Sequence, residues 1–180
     1  MTVLRTRRLV LGPLTADDAS FLVELLNEPS VLDNIGDRGV RTEEDVERYL
    51  ARGPHASYRR HGFGLYRVGL RESGEAIGIC GLIRRSGLAD VDLGFAFLPR
   101  FWGRGYALEA ARRVVQHARE DHGLRRLVAI TNPGNQASIR VLERIGMRFE
   151  GMVRPTGDDP ELRLYGRALD SATRARASTR

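Results

Sequence analysis

The chain contains no lysine: all 29 of its basic residues are arginine. A bias that complete reads as the codon composition of a genome, not a demand of function. It leaves a net charge of +6. Cysteine is nearly absent too. Cys80 stands alone, so no intrachain disulfide can form, which fits a reducing cytoplasm. No apolar run approaches the ~18–20 residues that span a bilayer. Met1 to Leu14 is broken by Arg5, Arg7 and Arg8, where a signal peptide would carry an uninterrupted apolar stretch. A membrane protein and a disulfide-stapled secreted domain are therefore not expected. His55, His61, His117 and His122 show no metal-ligand spacing with each other or with Cys80, so no metal is expected. At 180 residues, 42% of them hydrophobic, the chain suits one soluble domain with a sizeable core.

One segment stands out against these absences: Arg100-Phe101-Trp102-Gly103-Arg104-Gly105-Tyr106-Ala107. It follows an apolar strand-like run, Val91 to Leu98, and opens a periodic helix, Ala107 to Asp121. Two glycines one residue apart before a helix expose backbone N–H groups that have no partner inside the helix. With the positive end of the helix dipole they form a site for a phosphate or pyrophosphate. Gly103 and Gly105 let the backbone approach such a ligand without a Cβ, and Arg104 can add a charge. Two familiar phosphate loops do not fit. A P-loop needs Lys and Ser/Thr after its glycine, and Tyr106 follows Gly105. A dinucleotide fingerprint needs a third glycine where Leu108 stands.

The remaining pattern is mixed α and β without internal repeats. Arg8 to Leu14 reads as a strand. Thr15-Ala16-Asp17-Asp18 and Thr42-Glu43-Glu44-Asp45 read as capping boxes, starting helices through Leu26 and Ala51. Asn27 to Arg41 reads as a loop. Gly62 to Leu70 and Ala76 to Arg85 read as a hairpin, with Val91 to Leu98 as the next antiparallel strand. The helix after the glycine turn has an apolar face of Ala107, Ala110, Ala111, Val114, Val115 and Ala118, and Gly123 ends it. Leu127 to Thr131 reads as a short buried strand. Asn135 can cap a helix whose face is Ser138, Val141, Leu142 and Ile145. Met147 to Arg154 and Leu162 to Leu169 read as the last strands. Residues 1–170 make one domain, and 171–180, rich in Arg, Ser, Thr and Ala, read as a disordered tail. Cys80, inside an apolar strand, reads as packed and not nucleophilic.

Arg100-x-x-Gly103-x-Gly105 after a strand resembles the acyl-CoA pyrophosphate loop of the Gcn5-related N-acetyltransferases. Asn132-Pro133-Gly134-Asn135 through Met147 resembles that family's second motif. It is most similar to the branch of Rim-type ribosomal-protein N-terminal acetyltransferases, as is the opening Thr6 to Leu14. The resemblance extends over residues 5 to 169. It implies an acyl-CoA N-acyltransferase fold: a mixed, mostly antiparallel twisted sheet of about seven strands with helices on both faces. It also implies a split between the strand of Val91 to Leu98 and that of Leu127 to Thr131. The implied co-substrate is acetyl-CoA and the implied acceptor an amine. By resemblance, acetyl-CoA would contact Phe97, Leu98, Arg100, Trp102, Gly103, Arg104, Gly105, Tyr106, Ala107, Asn132, Asn135 and Ser138. The backbone of Phe97 and Leu98 would pair with pantetheine and face the thioester oxygen. Asn135 would orient pantetheine, cap the helix, or both. Trp102 would wall either the acyl-CoA or the acceptor.

Acetyl transfer needs a neutral amine and a stabilised leaving thiolate. Asp92 lies on the strand where several family members carry a catalytic Glu, among core residues that would raise its pKa. It is a candidate base, directly or through water, with a solvated strand-end carboxylate as the plain alternative. Where many members carry a tyrosine acid this chain has Leu142. Ser138 is the replacement candidate, with Tyr165 and Tyr106, both expected to be exposed, as weaker ones. The missing tyrosine keeps open a non-catalytic acyl-CoA-binding module on the same fold. Net charge alone allows a ribosome- or RNA-bound protein, but no nucleic-acid-binding motif accompanies it. The acceptor could be a ribosomal-protein N-terminus, an antibiotic amine, a polyamine or an amino acid. Its wall is expected from Asn27 to His61 and from the turn around Pro155 to Pro160, where Asp158, Asp159 and Glu161 could attract a cation. A cytoplasmic monomer or homodimer is expected.

Overall fold

A computed structural model describes residues 3–169; the tail expected over 171–180 lies outside the described residues. The strands are β1 (Leu4–Arg5), β2 (Leu9–Pro13), β3 (Leu65–Leu70), β4 (Ala76–Ile83), β5 (Asp92–Phe97), β6 (Arg126–Thr131), β7 (Arg148–Val153) and β8 (Leu162–Ala168). The helices are α1 (Ala19–Leu26), α2 (Pro29–Asn34), α3 (Glu43–Arg52), α4 (Pro54–His61), α5 (Tyr106–Glu120) and α6 (Gln136–Arg144). All strands join one sheet in the order β1-β2-β3-β4-β5-β6-β8-β7. Every neighbouring pair is antiparallel except β5 and β6. The eighth strand, beyond the seven expected, is β1, too short for any periodicity to mark it.

β4 is buried at nearly every position, from Ile77 to Leu82. A strand with no solvated face must be covered on both sides, so helices flank the sheet on two faces. α5 packs on β1, β2, β4 and β5. Its expected apolar face holds, with Leu108 and His117 added. Ala110, Ala111 and Ala118 are fully buried, and their small side chains bring the helix close to the sheet.

The second capping box forms as expected: the Asp45 amide donates to Thr42 Oγ1 at 3.2 Å, and the Thr42 amide to Asp45 Oδ2 at 3.0 Å. At the first, the Thr15 amide donates to Asp18 Oδ2, and a 3₁₀ turn over Ala16–Asp18 precedes α1. Two short helices were not expected. α2 interrupts the Asn27–Arg41 loop, and α4 follows α3 after Gly53. Both begin with proline in the first helical turn, where its lost N–H is no cost. At six and eight residues they are too short to show a period. On α6 the buried face is Ile139, Leu142 and Ile145, rotated from the expected one; Ser138 and Val141 lie at its half-buried margin.

Candidate active site

β5 and β6 are parallel and in register at a single point, Asp92 opposite Val128. Val128 donates to the Val91 carbonyl at 3.0 Å, and beyond that point the strands part. The split is where it was expected. On its other edge β5 is fully paired with β4, from Asp92–Ile83 to Phe97–Gly78. The Leu98 amide continues that ladder, donating to the Ile77 carbonyl at 3.0 Å. Backbone groups alternate along an antiparallel pair. Leu98 and Ala96 therefore point at β4, and Phe95 and Phe97 point into the gap. Half of the expected thioester pair is corrected here: the Phe97 amide faces the gap, while the Leu98 amide is committed to the sheet. The Phe97 carbonyl accepts from Trp102 Nε1 at 2.8 Å. That bond ties the half-exposed indole to the strand end.

The gap opens into a cavity of about 790 Å³. Of the expected site residues, Asp92, Phe97, Trp102, Gly103, Gly105, Tyr106, Ala107, Asn135 and Ser138 line it. Leu98, Arg100, Arg104 and Asn132 do not. The Arg100 guanidinium pairs with Glu24 and Glu75, and Arg104 lies over the Phe101 ring. Asn132 Oδ1 accepts from the Gly134 amide at 3.2 Å, closing the turn before α6.

Gly103 and Gly105 have φ of +73° and +81°, which non-glycine residues adopt rarely. Gly105 is the N-cap of α5 and offers no side chain to its free amides. The amides of Gly103 to Ala107 find no acceptor among the described residues. The helix start is exposed. Arg8, from the first strand region of the chain, braces it. Arg8 donates to the Arg104 carbonyl at 2.9 Å and to Glu109 at 2.7 Å, and its guanidinium lies over the Tyr106 ring. Burial alone would raise the Glu109 pKa. The Thr6 hydroxyl, the Arg8 amide and the Arg8 guanidinium outweigh it and hold Glu109 below the usual carboxylate range. Glu109 is thus spent on Arg8, not on the helix start.

Asp92 is 1% exposed. Its Oδ2 accepts from Arg85 Nε at 2.6 Å, and among the described residues its Oδ1 accepts no hydrogen bond. Burial pushes its pKa up. Arg85, and more weakly the backbone amide of Ile130, pull it back, and burial wins. A buried carboxylate with one held and one unused oxygen, beside a cavity, can take up a proton.

Across the gap, Asn135 Oδ1 accepts from the Ser138 amide at 3.1 Å, so Asn135 caps α6. The Ser138 hydroxyl is left on the cavity wall. Leu142, at the position where the resemblance led to a tyrosine being expected, is buried and also lines the cavity. Tyr106 is half-buried on the wall. Tyr165, expected to be exposed, is 1% exposed, packs edge-on to the half-exposed Phe149 and lies off the cavity. Nor does the 155–160 turn line the cavity; Pro155 closes instead on Gly87. Arg85 and Arg8 carry no signal in the sequence. Arg85 lies seven residues from Asp92 across a strand connection, and nothing local marks Arg8 as the brace of a turn 96 residues away.

Cys80 is fully buried, and burial pushes its thiol pKa up. Among the described residues no group of three or more His, Cys, Asp or Glu could hold a metal, and no helix is long and apolar enough to cross a membrane.

The uncharacterized N-acetyltransferase YnaD of Bacillus subtilis is 28% identical over 157 residues, 86% of this chain and 89% of YnaD. The FsC-acetyl coenzyme A-N(2)-transacetylase of Aspergillus fumigatus is 32% identical over 152 residues, 80% of this chain and 64% of that protein. An acetyltransferase structure from Agrobacterium tumefaciens matches with a TM-score of 0.77 and 28% identity, covering 93% of this chain and 94% of that one. RimL, a ribosomal L7/L12 α-N-protein acetyltransferase in complex with coenzyme A, shares the fold: TM-score 0.81, 18% identity, 95% of this chain and 100% of that one. The family model for the acetyltransferase (GNAT) domain matches residues 8–148, from the brace at Arg8 through the glycine turn and α6 to the start of β7. This chain belongs to the GNAT acetyltransferases.

Proposed function

We propose that the protein transfers an acetyl group from acetyl-CoA to a primary amine by direct attack in a ternary complex. One observation carries the reading: a single cavity joins the open start of α5, the unpaired edge of β5 and a buried carboxylate with an unused oxygen. The amides of Gly103 to Ala107 would take the pyrophosphate. The gap edge of Phe95 and Phe97 would pair with pantetheine, and the Phe97 amide would stabilise the oxyanion at the thioester carbon. Asp92 would accept the amine proton, directly or through one water, as nitrogen bonds to the carbonyl carbon. The C–S bond then breaks, and the Ser138 hydroxyl would donate to the leaving thiolate. We place the reaction in the cytoplasm and the chain as a monomer or homodimer.

Ser138→Ala is expected to lower kcat by ~10–100-fold. CoA affinity should hardly change, because the bond forms chiefly as the thiolate leaves. Steady-state rates beside calorimetric CoA titration check both halves, and full activity would remove Ser138 from the chemistry. Arg85→Gln tests the tuning of the base. Arg85 lowers the Asp92 pKa, so its loss should move the acidic limb of the kcat/KM profile to higher pH. An unmoved limb would separate Arg85 from catalysis.

The test of the reaction itself is thiol release from acetyl-CoA with an amine panel, with products identified by mass spectrometry. Amine-dependent release with an acetylated product supports the transferase. CoA binding without transfer to any amine would favour a non-catalytic acyl-CoA-binding module.

A further inference from the structure

We propose that the acceptor carries an acid group near its amine, a carboxylate or a phosphate; the inference rests on the transferase reading above. The cavity wall is lopsided in charge. Seven arginines line it, and among the described residues Asp92, already paired with Arg85, is its only carboxylate. Some arginines elsewhere find acids, as Arg67 does with Asp18, Arg41 with Asp37, and Arg126 with Asp90 and Glu150. On the cavity wall, Arg38, Arg52, Arg60 and Arg84 have no carboxylate within ion-pair distance among the described residues. Unpaired guanidinium groups gathered on one wall repel each other and raise the local concentration of anions.

The phosphates of acetyl-CoA do not account for these four. Arg140 and Arg144 lie on α6, and Arg144 also lines a groove at the start of α5 with Gly105, where the pyrophosphate is placed. Arg52 and Arg60 stand instead on α3 and α4, and Arg38 just after α2. Arg84 follows β4, next to the residue that holds Asp92. With the glycine turn and α6 given to acetyl-CoA, these elements are the part of the cavity wall left to the acceptor. Ser30 of α2 adds a buried hydroxyl on the same wall with no hydrogen-bond partner. A guanidinium binds a carboxylate or phosphate through paired, charge-assisted bonds. A polyamine or an aminoglycoside would meet like charge here. The acidic turn at Asp158 and Asp159, which could have drawn a cation, is off this wall.

The test compares acceptors that differ only in the acid: an α-amino acid against its α-amide, and phosphoethanolamine against ethanolamine. Acetyl-CoA is saturating and thiol release is the readout. Rates are expressed per neutral amine, because the acid raises the pKa of its neighbouring amine. In at least one set the acid-bearing member should show kcat/KM higher by about ten-fold or more, and the set that does so identifies the acid. Arg38→Gln/Arg60→Gln should erase most of that preference and leave the KM for acetyl-CoA unchanged. Equal or better use of the amide and of ethanolamine would overturn the inference while leaving the transferase reading intact. So would a preference that survives the double substitution. Failure of acetyl-CoA to bind would instead bring down the reading beneath it.

Discussion

Asp92→Asn should lower kcat/KM by about 100- to 10,000-fold near neutral pH, the range of general base catalysis. The deficit should close as pH rises, because an amine that is already neutral needs no base. Asparagine keeps the volume of aspartate and can still accept from Arg85 Nε, but it cannot bind the proton. Stability moves in a direction that separates chemistry from unfolding. The folded-state pKa of Asp92 is raised by burial, so the folded protein binds more protons than the unfolded chain. Wild type therefore loses stability as pH rises from about 4, the unfolded carboxylate value, to the Asp92 pKa. The Asn variant is spared that loss. A pH–rate profile beside thermal unfolding at each pH reads both effects. A variant that tracks wild type across the range would make Asp92 structural.

Gly105→Val should weaken CoA binding by about 100-fold, through backbone strain of the kind that costs 1–3 kcal/mol and through obstruction of the site. Gly105 has φ +81°, and a Cβ there would lie 3.3 Å from Arg8 Nη2. A β-branched residue is a poor occupant of that conformation. Moving Arg8 aside would loosen its bonds to the Arg104 carbonyl and Glu109, which hold the turn. The added methyls would also stand where phosphate oxygens must approach the amides. Calorimetric titration with CoA measures the loss, and circular dichroism checks that the variant is folded. Unchanged affinity in a folded variant would remove the pyrophosphate from this turn.

The glycine turn and its helix were legible because each has a local cause: glycine spacing and a 3.6-residue apolar period both fit within a window of a few turns. The split beside Val91 to Leu98 was expected only from the family resemblance, because no local pattern marks where two strands part. The residues that tune the site have no such signature. Arg85 matters because the chain turns back after β4, and Arg8 because β2 lies under α5; both are facts of tertiary packing. The reading of Tyr165 as exposed failed for a related reason. It alternates with Leu164 and Gly166 on β8, and only the insertion of that strand between β6 and β7 decides that it is buried. α2 and α4 escaped because a helix of two turns held by tertiary contacts shows no periodicity.

A crystal structure with CoA bound tests the central claim most directly. The pyrophosphate should lie on the amides of Gly103 to Ala107, and the pantetheine arm between β5 and β6 along Phe95 and Phe97. The sulfur should lie within reach of the Ser138 hydroxyl and on the Asp92 side of the cavity. A pyrophosphate bound elsewhere, or β5 and β6 closed on each other with the arm outside, would contradict it.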